Sequence, residues 1–175
     1  MKILKYVGIV MLTLVLAFLS LGFFAKSFEY STSTSVMAAP EKCWVVLHDT
    51  TRMKTWMHGF KRLELKSGQD MQPGAVYEII FDQDKRYVMR EILKEVKAPT
   101  FAAYELTNEV MKSDYNFTLV SRNGMTEIKS HNRVAGNNLI WRSILFLSKS
   151  YLEGSSQTQL DLLKLEIETG EVEFD

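Results

Sequence analysis

The architecture of the chain turns on NLIWRSILFLSKSYLEGSSQTQLDLLKLEIE, residues 138–168. Apolar side chains recur in it at Ile140, Ile144, Leu147, Tyr151, Leu162 and Leu165, and beside them at Leu145, Leu152, Leu160, Leu163 and Ile167. Steps of three, four and seven residues place such positions on one broad face of a helix. Asn137 or Asn138 can cap its start and Gly170 can end it. A helix over these 31 residues is ~46 Å long and needs a partner surface to be stable in water. Gly154, Ser155 and Thr158 interrupt the middle of the apolar face. Two readings fit: a helix held at both ends against a sheet with space beneath its middle, or a close backbone crossing or mild kink at Gly154.

Upstream of this helix the chain reads as antiparallel strands. Candidates are Phe60–Lys66, Ala75–Phe81, Arg86–Val96, Thr100–Thr107, Ser113–Arg122 and Met125–Val134. Turns at Gln72-Pro73-Gly74, Asp82-Gln83-Asp84, Ala98-Pro99 and Asn123-Gly124 separate them. Asn-Gly suits a two-residue type I′ hairpin, because both residues tolerate positive φ. That loop sets Arg122 opposite Met125, Thr118 opposite Lys129, Asn116 opposite His131, and Asp114 opposite Arg133, a polar face with one possible charge pair. The other face carries Tyr115, Phe117, Leu119, Thr126, Ile128, Ser130 and Asn132. Its mixed half suits either a cavity wall or a wet sheet edge.

Before the sheet, residues 27–37 (SFEYSTSTSVM) alternate as a strand. Pro40 and Glu41 then suit a first helical turn, and Asp49 or Thr50 can cap a second short helix through Met53 and Trp56. The first 26 residues hold no acid. Tyr6 to Ala25 form a run of 20 residues without a charge, ~30 Å as a helix, about the hydrocarbon thickness of a bilayer. The run is longer than the ~7–15 residues of a signal-peptide core. This favours a retained anchor, although Ala25-Lys26-Ser27 has the small-x-small form of a cleavage site. Lys2 and Lys5 before the run, against Lys26 after it, orient the N-terminus to the cytoplasm and the domain to the far side. The expected organisation is therefore an anchor over 1–26, a domain over 27–170 and an acidic tail over 171–175.

Formal net charge is +0 over the whole chain; three of its 21 basic residues lie in the first 26, leaving 18 basic against 21 acidic groups in the domain. A weakly acidic domain lacks the basic face that nucleic acid requires. Cys43 is the sole cysteine, so no intrachain disulfide forms. The three histidines, His48, His58 and His131, form no metal-binding spacing, and no phosphate-binding glycine loop or nucleophile elbow occurs. No cofactor is expected.

One carboxylate stands out. In Tyr87-Val88-Met89-Arg90-Glu91-Ile92-Leu93, one register turns Tyr87, Met89, Glu91 and Leu93 inward; the other buries Arg90 and exposes Glu91. A buried Glu91 would have a raised pKa and could serve as acid, base or ligand anchor. Trp56, Tyr115, Phe117, Tyr151, Ser155 and Thr158 complete the candidate ligand-binding set, with Trp141 a further aromatic near it. Aromatic residues at such positions are also ordinary core. His58 attracts notice where the chain enters the sheet, His131 reads as a surface residue, and Leu139-Ile140-Trp141 could touch lipid beside a tethered domain.

The segment VMAAPEKCWVVLHDTTRMKTWM, residues 36–57, resembles the opening of the START-like (SRPBCC) superfamily, in particular its polyketide cyclase/dehydrase and lipid-transport members. The matching features are Ala38-Ala39-Pro40, Trp44, Asp49 and Trp56, followed by Gly59-Phe60-Lys61, the Pro73-Gly74 and Pro99 turns and the Gly124 hairpin. The resemblance spans about Phe28 to Ile167. It implies an α+β helix-grip fold, a curved antiparallel sheet of about seven strands around a long C-terminal helix. It also implies a hydrophobic cavity for a lipid or other apolar molecule. Three functions follow in order: a membrane-anchored module binding a lipid or other hydrophobic molecule; an enzyme of cyclase/dehydrase or hydrolase type using Glu91, His58 and Tyr115; or a non-catalytic interaction subunit with a filled core.

Overall fold

The computed structural model of the chain describes residues 2–81 and 87–170. The expected turn at 82–84 and the expected acidic tail at 171–175 lie outside the described residues. Helix α1 (Lys2–Phe24) leads into strand β1 (Phe28–Val36), then α2 (Pro40–His48) and α3 (Met53–Trp56). Six strands follow: β2 (Phe60–Ser67), β3 (Val76–Phe81), β4 (Tyr87–Lys97), β5 (Phe101–Thr107), β6 (Met111–Arg122) and β7 (Met125–Gly136). The chain closes with α4 (Leu139–Leu147) and α5 (Lys149–Thr169). All seven strands form one antiparallel sheet in the order β1-β7-β6-β5-β4-β3-β2. The meander places β2 at one edge, and β1 closes the other by pairing with β7 from Phe28↔Val134 to Val36↔Thr126. This is the helix-grip fold.

The local chemistry explains most elements. Pro40 opens α2, where its missing N–H would in any case lack a helical partner. Asn123 (φ 51°) and Gly124 (φ 79°) both take positive φ, and the hairpin register is Arg122↔Met125 through Asp114↔Arg133 as the turn requires. Arg133, expected to face Asp114 as a charge pair, sends its guanidinium to Glu29 on β1 (3.7 Å), because β1 adds a neighbour the hairpin alone does not reveal. Asp49 does not cap α3. Its carboxylate accepts from the Thr51 N–H (2.8 Å) and hydroxyl (2.7 Å), so it closes the turn between the helices, and α3 starts without a side-chain cap.

The single C-terminal helix expected over 138–168 is two helices. Asn138 caps α4, accepting from the Trp141 N–H (3.0 Å). Ser148 (φ −89°, ψ 4°) leaves helical geometry, and its N–H is shared between the carbonyls of Ile144 (3.0 Å) and Leu145 (3.1 Å). This tightened last turn frees α5 to set off along the sheet while α4 packs against α1 and β7. Gly154 is not the break: α5 runs through it, and a Cβ there would meet nothing within 4 Å. The close backbone crossing is thereby excluded.

The two apolar stripes run across the break on opposite sides of the helices. Leu145, Leu160, Leu163 and Ile167 are buried, the last three with Val36, Val46, Leu47, Trp56, Leu119 and Ile128 in the main core. Ile140, Leu147, Tyr151, Leu162 and Leu165 are exposed instead. The broad single face read from the sequence is thus an inner face and an outer one.

Candidate functional site

A cavity of about 340 Å³ lies between the concave face of the sheet and helices α2, α3 and α5. Strand alternation decides what enters it. On β4, Met89, Glu91 and Leu93 are buried while Arg90 is exposed, so Glu91 points inward. The Glu91 carboxylate accepts a hydrogen bond from the Tyr115 hydroxyl, carried two strands away on β6. Burial pushes the Glu91 carboxyl up to about 7, against the opposing pull of the Tyr115 hydrogen bond. Burial, with the nearby Glu91 charge, also raises the Tyr115 phenol well above its ordinary value, so it stays a donor.

A second polar pair adjoins the first. The Tyr104 ring stacks on Tyr115 with centroids 5.0 Å apart, and Phe117 meets Tyr115 edge-on at 5.8 Å. The Tyr104 hydroxyl lies 2.7 Å from His48 Nε2, and His48 Nδ1 lies 2.9 Å from the Trp44 carbonyl. A carbonyl only accepts, so Nδ1 carries the proton and Nε2 accepts from Tyr104. Burial lowers the His48 pKa, more than the Trp44 carbonyl raises it, which keeps the ring neutral at physiological pH. Elsewhere on the wall, the Tyr77 hydroxyl donates to Asp70 Oδ1 (2.8 Å) and accepts from the Met71 N–H (2.8 Å). On the α5 side, Tyr30 and Ser156 share a hydrogen bond of 3.1 Å. Ser130 and Asn132, the ambiguous end of the β6–β7 face, form part of the cavity wall. The rest of the lining is mostly apolar.

Of the residues expected to contact a ligand, Trp56, Glu91, Tyr115, Phe117 and Ser155 line this cavity. Tyr151 and Thr158 do not. They border a shallow depression on the outer side of α5, which Ser155 also touches. The reason is helical phase: 151, 158, 162 and 165 follow the outer stripe, whereas 152, 156, 160 and 163 follow the inner one. Thr158 turns its hydroxyl back to the Gly154 carbonyl (3.0 Å). His58 belongs to the same outer depression, while His131 is exposed beside Ser31. The histidine in the cavity is His48, and its helical spacing from Trp44 was the available signal. Trp56 is buried, and its indole N–H has no partner among the described residues. Among the described residues, no three His, Cys, Asp or Glu side chains converge to hold a metal.

A seven-stranded sheet gripping a C-terminal helix around a cavity defines a START-like, helix-grip protein. The model of the family described as polyketide cyclase/dehydrase and lipid transport matches residues 27–168, and the chain belongs to that family. No curated protein sequence matches it at a significant level. Solved structures share the fold. The crystal structure of Ara h 8.0201 is similar at 13% identity, TM-score 0.64, with 81% of this chain and 97% of that one covered. The Zhui aromatase/cyclase from Streptomyces sp. R1128 is similar at 13% identity, TM-score 0.66, with 81% and 93% covered. The Staphylococcus aureus protein SA2116 is similar at 14% identity, TM-score 0.66, with 81% and 93% covered.

Proposed function

We propose that this chain is a membrane-anchored binding protein for a lipid or other hydrophobic small molecule with one polar end. The observation that carries the reading is the Glu91–Tyr115 pair on the wall of an otherwise mostly apolar cavity of about 340 Å³. That volume falls within the ~300–1,000 Å³ usual for small-molecule sites. It counts against a filled core serving only as an interaction subunit. Apolar walls take up the ligand's hydrocarbon, while the paired carboxyl and phenol fix its orientation. Trp56, Phe117 and Ser155 contact the ligand body in this reading.

The anchor is α1, whose residues Ile3–Phe24 are long and apolar enough to cross a bilayer. The lysine distribution, Lys2 and Lys5 before the apolar run against Lys26 after it, supports an N-terminus in the cytoplasm with the domain, residues 27–170, on the far side. Tethering raises the effective concentration of a membrane-resident ligand at the cavity.

The test is native mass spectrometry with lipid extraction on the full chain purified in a mild detergent. A stoichiometric apolar ligand lost in Glu91→Leu supports the reading. A folded protein that carries nothing and takes up nothing from a lipid panel overturns it.

A second reading is catalysis of the cyclase/dehydrase type. It rests on Glu91, whose carboxyl is held near neutrality beside Tyr115, as a general acid or base requires. Loss of one water from a bound ligand in the wild type, and not in Glu91→Gln, would favour it. Unchanged ligand mass over long incubation would favour binding alone.

A further inference from the structure

The outer apolar stripe and the packing of α1 lead to one surface. Helix α1 is exposed over residues 3–17 and becomes partly buried from Phe18 onward, where it packs on α4. The joint is built closely. Ser143 on α4 is fully buried, and its hydroxyl accepts from the Gly22 N–H (2.9 Å) and donates to the Phe18 carbonyl (2.6 Å). A Cβ on Gly22 would stand 2.2 Å from the Leu139 carbonyl oxygen, so only glycine permits this approach. The free part of α1, 15 residues, is ~22 Å long, short of the ~30 Å hydrocarbon core. A spanning α1 must therefore use its clasped turns too. That brings α4, joined at Phe18 and Gly22, to the acyl–headgroup boundary.

What α4 presents outward suits that depth. Its sequence LIWRSILFL holds no acid, and Ile140, Leu147 and, one turn into α5, Tyr151 follow one another along the exposed stripe, 54%, 63% and 77% exposed. Phe146 on α4 and Phe23 and Phe24 at the end of α1 are exposed as well. Lys26 lies two residues past the end of α1 and Lys149 opens α5, where amines suit headgroups. We propose that α4 and the first turn of α5 lie in the bilayer interface, with Ile140, Leu147 and Tyr151 against lipid, so that the domain is seated on the membrane. The proposal rests on α1 being the anchor. Interfacial helices bury an apolar face in this way.

The experiment uses the full chain in phosphatidylcholine/phosphatidylglycerol vesicles, in a Cys43→Ala background. Single variants Leu147→Cys, Tyr151→Cys, Leu12→Cys and Leu65→Cys carry an environment-sensitive fluorophore. Leu65, an exposed leucine on the edge strand β2, is the matched control. Labels at 147 and 151 should be quenched by a nitroxide near the headgroup several-fold more than the label at 65. The label at 12 should be quenched by a nitroxide deep in the acyl chains. Quenching at 147 and 151 no greater than at 65, with 12 still quenched, overturns the seating and leaves the anchor standing. If 147 and 151 are then also shielded from aqueous iodide, a protein surface covers the stripe instead. No quenching at 12 removes the anchor and the seating together.

Discussion

Replacing Glu91 with glutamine should make the domain more stable at alkaline pH and leave it nearly unchanged at acid pH. Glu91 is only 6% exposed, and its carboxyl is held at about 7 against an ordinary 4.5. Because the folded value is the higher one, the native state binds more protons than the unfolded state between the two. Stability is therefore greatest below pH 4.5 and falls as pH rises toward 7, where the loss levels off. A shift of that size corresponds to about 3 kcal/mol in full. Between pH 5 and pH 8 the wild type should lose roughly 2–3 kcal/mol relative to Glu91→Gln. Gln is close to a protonated Glu in shape, and its amide can still engage the Tyr115 hydroxyl. All other titrating groups are shared by the two proteins, so their contributions cancel in the difference. The assay is urea unfolding of ligand-free full chain in micelles, followed by tryptophan fluorescence at both pH values. A difference between the proteins that stays constant from pH 5 to pH 8 would refute the reasoning, because it would mean Glu91 ionises as freely in the fold as in water.

Tyr115→Phe removes the hydrogen bond that favours the charged carboxylate, so the Glu91 midpoint should move above its wild-type position in an infrared titration of the carboxyl band. Trp56→Ala should cost ~3–5 kcal/mol in the same unfolding assay, since Trp56 belongs to the main core and walls the cavity. Gly22→Val should force α1 off α4 and leave the buried Ser143 hydroxyl without its α1 partners, lowering stability by ~1–3 kcal/mol. Its check is the unfolding midpoint of the full chain in micelles.

Much of this molecule was legible from local rules. The Asn123-Gly124 turn determined a twelve-residue hairpin register, because two positive φ angles admit few other pairings. Pro40, the strand alternation and the uncharged run that makes up most of the first helix were equally direct. Glu91 is legible in the sequence as the carboxylate to watch, but two registers are open on its own strand, since both faces carry apolar residues. Only the neighbours β3 and β5 turn it inward. The membership of Trp56, Phe117 and Tyr115 in one cavity likewise required the sheet to curve, and His48 joined them through Tyr104, 56 residues away in sequence.

The last helices mark the boundary most clearly. Sequence alone determined that the stretch 138–168 is helical over most of its length and twice apolar, for periodicity is a property of the chain itself. It did not determine which stripe is inside, nor that Ser148 divides the helix. Those outcomes depend on surfaces distant in sequence: the sheet that α5 crosses, and the first helix that α4 clasps through Gly22 and Ser143. Hydrophobic patterning says that a face must be covered; which surface covers it is decided by tertiary packing.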